Sequence, residues 1–243
     1  MSSTVNTATD RKPGDVAIYV AMAEAVARMA FALVYLWDNT HRRFIYLSDN
    51  RDLLGGKSAA HIMALGIGEL KEMVPDEDLA LLKKVTASFE GEYSRIPADL
   101  RHEVVVYLNF HLGHGNDSIL VNQKISWFDF DAFGRPGIIF GIATPSVHRD
   151  NERFVFMKIE SADIFRYFDP ETSLWHETHR IHITDDERRM LRLSQSGYSS
   201  KEIASMMNKS ADTIAFYRKS VYEKLDVSNI AEAIAHAVHY GII

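Results

Sequence analysis

The chain has no cysteine in its 243 residues. That absence excludes disulfides, thiolate metal ligands, cysteine nucleophiles and cysteine-adduct photochemistry together. No apolar run approaches the ~20 residues that a membrane-spanning helix needs. The first residues, Met1-Ser-Ser-Thr-Val-Asn-Thr7, lack the basic start and apolar core of a secretory signal. A cytoplasmic location with no membrane partner is therefore expected. An excess of positive charge is also missing: 27 Lys and Arg stand against 33 Asp and Glu, a formal net charge of -6. Taken alone, that balance argues against a nucleic-acid binder. Its distribution matters more, because residues 183–243 carry eight basic and eight acidic side chains. The acidic excess lies before them, and a DNA-binding end would be a small local patch on an acidic body. What is present is ordinary globular composition, 47% hydrophobic and 25% charged, in a length that suits one large or two modest domains.

Two halves follow different periods. Residues 1–14 form a polar stretch expected to be a flexible tail. In residues 15–30, Val16, Val20, Ala23, Ala27 and Ala30 recur at three- and four-residue steps, which predicts an amphipathic helix. Residues 31–146 then read as strand, strand, short helices, long helix and three strands. Runs 32–37 and 44–48 flank a hairpin-type turn at 38–43. Pro75, followed by Asp76-Glu77-Asp78, marks a helix start, because proline suits the first turn and acids complement the helix dipole. That helix is expected to reach about 90–91. Three β runs follow at 103–112, 119–130 and 137–144, separated by glycine-containing turns.

That order, with Val74-Pro75-Asp76-Glu77-Asp78-Leu79 leading into the long helix, resembles a PAS domain over residues 31–146. The resemblance implies a five-stranded antiparallel sheet with helices on one face, and a role as a sensor. PAS domains hold a small ligand between sheet and helices or pair with a partner. Trp37, Tyr46, Tyr107, Phe110, Trp127 and Phe140 are the candidates to line such a pocket, with core packing as their alternative. His61, His102, His111 and His114 are available as axial ligands, yet none stands in a distinctive haem context. No cofactor is assigned; a small-molecule ligand of unknown identity stays open. Residues 147–182 are expected to be a linker holding a hairpin around Asp169-Pro170-Glu171-Thr172. His176, His179 and His182 recur every third residue, but on an extended chain they would not share a face, so no metal site is assigned.

The last quarter is helical and free of proline. Thr184 with Glu187, and Ser199 with Glu202, each make a capping box. Gly197 and Asn208-Lys209 stop the first two helices, and Ser210 caps a third whose Ile214, Tyr217, Val221 and Leu225 form its inward stripe. A fourth opens at Ser228 or Asn229. The series Ile183-Thr184-x-x-Glu187, Gly197-Tyr-Ser-Ser-Lys201-Glu202-Ile203-Ala204, Ser210-x-x-Thr213-Ile214, Lys224-Leu225 and Ala231-Glu232-Ala233 resembles the LuxR-type (FixJ/NarL-type) helix-turn-helix over residues 183–243. The fold class is therefore α+β: a PAS-like antiparallel sheet followed by an all-α four-helix domain.

The resemblance implies double-stranded promoter DNA as partner, read in the major groove by the third helix. Lys219 would approach guanine and Phe216 a thymine methyl or sugar. Lys201, Ser210, Thr213 and Arg218 would hold phosphates or fix the helix start. Ala215 stands where the family usually has a long basic side chain, and Tyr217 where histidine is frequent, so the operator should differ from those of better-known relatives. A homodimer is expected, with the fourth helix contributing through Ala231, Ala235 and Val238 or through an Ala233–Ala237 stripe. The function expected is a bacterial transcriptional regulator whose sensor domain responds to a small-molecule or protein signal. The alternatives are a quorum-sensing-like ligand domain in front, or a PAS-based adaptor. No phosphate loop, nucleophile elbow, His-Glu-x-x-His or dinucleotide fingerprint occurs, so catalysis is not expected.

Overall fold

In a computed structural model of the chain, the described residues are 13–113, 118–130, 136–146, 155–159, 164–178, 182–239 and 242–243. The expected tail at 1–14 lies almost wholly outside them, as do His114 and His179. The chain divides into two compact units, a front unit whose described residues end at Thr178 and a helical unit that follows.

The front unit runs α1 (Pro13–Met29), β1 (Leu33–Asp38), β2 (Arg43–Leu47), α2 (Ala59–Leu65), α3 (Ile67–Lys71), α4 (Asp76–Ser94), β3 (Val104–Leu112), β4 (Ile119–Trp127) and β5 (Ile138–Pro145). It continues through β6 (Val155–Ile159), β7 (Ile164–Asp169) and β8 (Leu174–Thr178). All eight strands form one antiparallel sheet in the order β2-β1-β5-β4-β3-β6-β7-β8. The mixed α+β class is the one the sequence predicts, but the sheet is wider.

Residues 155–178 correct the expected linker. β6 pairs with β3 through Val104↔Ile159, Val106↔Met157 and Leu108↔Val155, and β7 and β8 extend the sheet beyond it. Val155, Met157 and Ile159 are buried in the same core as α4. Their alternation with Phe156 and Lys158 is a strand's period of two, carried in too short a run to stand out. Without β6, the outer edge of β3 would be left unpaired. The Asp169 turn joins β7 to β8 as a hairpin, with the Asp169 carboxylate accepting from the Glu171 backbone N–H at 2.8 Å.

The two sides of the sheet are covered differently. Leu33 and Trp37 of β1 join Phe110, Val121 and Trp127 under α2, α3 and α4. Val34 and Leu36 point the other way, where Ile138, Phe140 and Ile142 of β5 meet α1. Gly141 faces Tyr35 across this pair, and a Cβ there would fall inside the Tyr35 ring; only glycine lets that ring lie against the strand.

The start of α4 does more than cap a helix. Pro75 is the N-cap, and the helix continues to Ser94, beyond the expected end. Asp78, fully buried, accepts from the His111 backbone N–H at 2.8 Å and lies 2.7 Å from His111 Nδ1. A bare carboxylate so buried would be costly; here it fastens α4 to β3. At the far end of α4, Phe89 stacks on Trp127 at 5.2 Å, and Tyr93 lies at 5.4 Å from the same indole.

Candidate functional site

The helical unit consists of α5 (Asp185–Gln195), α6 (Ser200–Met207), α7 (Ala211–Leu225) and α8 (Ile230–His239). Three starts are fixed by hydroxyl caps. Thr184 Oγ1 accepts from Glu187 N–H at 3.3 Å while Thr184 N–H donates to Glu187 Oε2 at 2.7 Å. Ser199 and Glu202 repeat the arrangement at 3.4 and 2.8 Å. Ser210 Oγ accepts from Thr213 N–H at 3.1 Å and lies 2.9 Å from Thr213 Oγ1. Between α6 and α7 the chain reverses at Asn208, whose φ of 56° and ψ of 42° are left-handed, a conformation asparagine tolerates better than most residues. That short turn sets α7 across α6 as a helix-turn-helix.

Ile214, Val221 and Leu225 sink into the bundle with Met190, Leu191, Ile203 and Met207. The opposite side of α7 presents Asp212, Phe216, Lys219 and Glu223, steps of four, three and four that keep them on one stripe. Phe216 is 66% exposed, and the Lys219 side chain 79% exposed. Lys219 Nζ lies 3.8 Å from Glu223 Oε1, a distance too long for a tight pair. Ala215 borders the stripe and is exposed.

The seven residues predicted to touch DNA thus separate by placement. Ala215, Phe216 and Lys219 share the outward side of α7, and Lys201 is exposed in the first turn of α6. Ser210 and Thr213 are engaged with one another at the α7 cap. Arg218 does not share the outward stripe: it is half-buried, and its Nε is buried with no hydrogen-bond partner. Its helical position, four residues past Ile214, turns it toward the flank of the bundle.

Two lysines of the helical unit hold the bundle together instead. Lys224 Nζ donates to both Glu187 oxygens at 2.9 and 2.7 Å, and Ser220 Oγ donates to Oε1 at 2.7 Å. Burial pushes the Glu187 carboxyl up, yet the bonds from Lys224, Ser220 and Thr184 outweigh it and hold the group below the usual carboxylate range. Tyr217 Oη donates to Asp186 Oδ2 at 2.8 Å, and Lys209 Nζ lies 3.0 Å from the same oxygen. The Tyr217 hydrogen bond, then Lys209, lowers the Asp186 carboxyl. Tyr217, where the family often has histidine, here ties α7 to α5. The sequence motif marks Glu187 only as a cap; nothing local shows that its carboxylate also meets α7. On α8, Ala233 and Ala237 are fully buried, so they serve the bundle core. The remaining candidates for pairing on that helix are Ala231, Ala235 and the 48% exposed Val238.

The six candidate pocket residues of the front unit do not converge. Trp37, Phe110 and Trp127 lie buried under the helices. Tyr46 and Phe140 belong to the cluster beneath α1, and Tyr107 stands on that same side, stacked on Phe156 at 4.4 Å. Strand alternation makes one shared pocket geometrically excluded, a correction to the sequence reading. The sequence reading missed Tyr93, whose hydroxyl is buried beside Trp127 without a hydrogen-bond partner. Burial raises its phenol far above the ordinary value, against the Arg101 charge, which lowers it.

No curated protein matches the chain. A phage VqmA solved as its DPO complex is similar over 93% of this chain and 88% of its own, at 18% identity and a TM-score of 0.35. The Vibrio cholerae VqmA dimer solved without target DNA is similar over 96% and 89%, at 14% identity and a TM-score of 0.29. An RNA-binding light-oxygen-voltage receptor is similar over 86% of this chain and 48% of its own, at 13% identity and a TM-score of 0.34. Likenesses this distant transfer neither ligand nor function. The family described as bacterial regulatory proteins, luxR family, matches residues 182–237. This chain therefore carries a LuxR-family helix-turn-helix domain at residues 182–237.

Proposed function

We propose that the chain is a bacterial transcriptional regulator that binds promoter DNA through α7 as a homodimer, under the control of its PAS-like front unit. The observation that carries the DNA reading is the outward side of α7, where Phe216 and Lys219 stand clear of the bundle within a LuxR-family domain. The Phe216 ring, 66% exposed on α7, is free to meet a thymine methyl in the major groove. Lys219 is placed to reach guanine O6 and N7. Lys201, Ser210 and Thr213 sit at the amide-rich starts of α6 and α7, where phosphates are held. Arg218 reaches phosphate from the flank.

The front unit supplies the signal-dependent part. Trp37, Phe110, Trp127 and the unpartnered Tyr93 hydroxyl lie on the side that α2, α3 and α4 cover, which favours a small molecule there over one near Tyr46, Tyr107 or Phe140. An adaptor with no DNA target would leave α7 without a function.

Binding to the DNA upstream of the chain's own gene, followed by electrophoretic shift, tests the reading. Lys219→Ala should relax preference at one base position and cost about 1–3 kcal/mol. Lys201→Ala should weaken binding to every sequence and flatten its salt dependence. If both variants bind like the unsubstituted protein, α7 is not the reading helix.

A further inference from the structure

Five neighbouring strands carry one straight line of side chains across the sheet. Lys124 of β4 stands opposite Tyr107 of β3, Tyr107 opposite Phe156 of β6, Phe156 opposite Tyr167 of β7, and Tyr167 opposite His176 of β8. Cross-strand partners share a face. This one is turned away from α2, α3 and α4, since the alternate residues Leu108, Met157 and Phe168 lie in the core beneath those helices. The line starts where the cover of α1 ends: Ile142, the β5 partner of Lys124, belongs to the cluster under that helix. At strand spacings of about 4.8 Å it spans roughly 19 Å. Its rings stand in stacked pairs, Tyr107 on Phe156 with centroids 4.4 Å apart and Tyr167 on His176 at 5.2 Å. The second pair is the open end, with Tyr167 47% and the His176 side chain 41% exposed.

The charge on this face is nearly all of one sign. Lys124 Nζ lies 5.4 Å over the Tyr107 ring, and Lys158 Nζ on β6 lies 5.7 Å over Phe165. Lys124 is half-buried, and no carboxylate among the described residues pairs with it. Burial, then the Lys158 charge, holds its ammonium below the usual lysine value. An ammonium so placed gains from an anion that joins the two charges. Among the described strand positions of this face Asp169 is the one carboxylate. It is engaged in the β7–β8 turn, with Thr172 Oγ1 at 2.6 Å and the Glu171 N–H at 2.8 Å.

From these observations we propose that the outward face of β4, β3, β6, β7 and β8 binds single-stranded nucleic acid, with Lys124 on phosphate and a base extending the Tyr167–His176 stack. Three features select that occupant. Aromatic rings beside lysines suit unpaired bases, because every base has a flat face and a charged backbone. A duplex keeps its bases stacked inside and cannot use the rings, and an acidic peptide would answer the lysines and leave the rings unused. The acidic excess of the residues before 183 keeps polyanions off the remaining surface. The proposal needs neither α7 nor the promoter reading.

The test uses the full chain with Lys201→Ala and Lys219→Ala together, which takes the proposed promoter contacts out of the measurement. Fluorescence anisotropy of labelled oligothymidylate and oligouridylate, each of about twelve nucleotides, should show binding at low salt. Lys124→Gln should weaken it and reduce the slope of log affinity against log salt by about 0.7, the value for one phosphate contact on a single strand. Lys124→Arg should restore both. Tyr167→Ala should weaken binding about fivefold or more and leave the slope unchanged. Urea unfolding followed by tryptophan fluorescence should match the parent in both loss variants, since Tyr167 is exposed and Lys124 has no carboxylate partner. Absence of oligonucleotide binding overturns the proposal, as do loss variants that bind like the parent. Displacement by polyglutamate as strong as by unlabelled oligonucleotide also overturns it and makes the face a dock for acidic protein. A chain that binds single strands through this face and no promoter duplex would support the proposal while refuting the α7 reading.

Discussion

Replacing Glu187 by alanine should strongly destabilise the helical unit while leaving the front unit intact. The Glu187 side chain is 4% exposed and its Lys224 partner 31%. Removing one partner of a buried pair typically costs 3–5 kcal/mol, because the other charge is left uncompensated. Lys224 can still turn part of its ammonium toward water, which places the cost near about 3 kcal/mol. The lost bond to Thr184 N–H adds about 1 kcal/mol of capping energy. A bundle of this size has only a few kcal/mol in total to lose. Glu187→Gln keeps the shape and an acceptor for Thr184 and should cost about 1–2 kcal/mol. All three tryptophans, Trp37, Trp127 and Trp175, lie in the front unit, so urea unfolding can be followed separately. Far-ultraviolet circular dichroism should lose helix at lower urea in Glu187→Ala, and the tryptophan transition should stay in place. The carboxyl is lowered on folding, so its contribution is complete above the unfolded value of about 4.3 and fades as pH falls through the folded one. Parent and Glu187→Gln should therefore converge in stability at acid pH. Unchanged helix unfolding in Glu187→Ala at neutral pH would refute the role of the Lys224–Glu187–Ser220 cluster.

Phe216→Ala should leave the unfolding free energy within about 0.5 kcal/mol of the parent, as expected of an exposed side chain, yet reduce promoter affinity; a large loss of stability in urea unfolding would mean that the ring packs within the bundle. Tyr93→Phe removes a buried hydroxyl without a partner and should raise front-unit stability by about 1 kcal/mol, measured by tryptophan-detected urea unfolding. A loss of stability would show that the hydroxyl is engaged.

In the front unit, strand by strand, the sequence shows its structure where the run is long. β3, β4 and β5 each hold eight or nine residues, and they fall where the long β runs predict. β6 is five residues long, and nothing in Val155-Phe-Met-Lys-Ile159 announces that it will close the open edge of β3. Pairing between strands distant in sequence is a tertiary event that local period cannot reveal. The same limit explains the candidate pocket: aromatic residues signal burial, but the side of the sheet follows from register. Trp37 and Tyr46 both read as core, and a hairpin irregularity between Leu36 and Trp37 lies between them. Helix α1 shows its sheet-facing stripe in sequence through Val16, Val20 and Ala23.

The two capping boxes show where a motif stops being informative. Thr184-x-x-Glu187 and Ser199-x-x-Glu202 have the same spacing and make the same pair of backbone bonds. Glu202 remains at the surface, where its carboxylate also accepts from Ser199 Oγ at 2.6 Å, and there the box is worth about a helix cap. Glu187 is drawn inward because α7 crosses α5 there and supplies Lys224 and Ser220. The pattern Lys224-Leu225, which in sequence contributes only to the family resemblance, thus supplies the cation that compensates a buried carboxylate two helices earlier. That pairing also removes Lys224 from the cations available to DNA, as Asp186 removes Lys209. Lys219 on α7 and Lys201 on α6 are left exposed. In the proposed DNA complex, the engagement of Lys209 and Lys224 within the bundle should make the salt dependence of binding shallower than it would be with both lysines on phosphate.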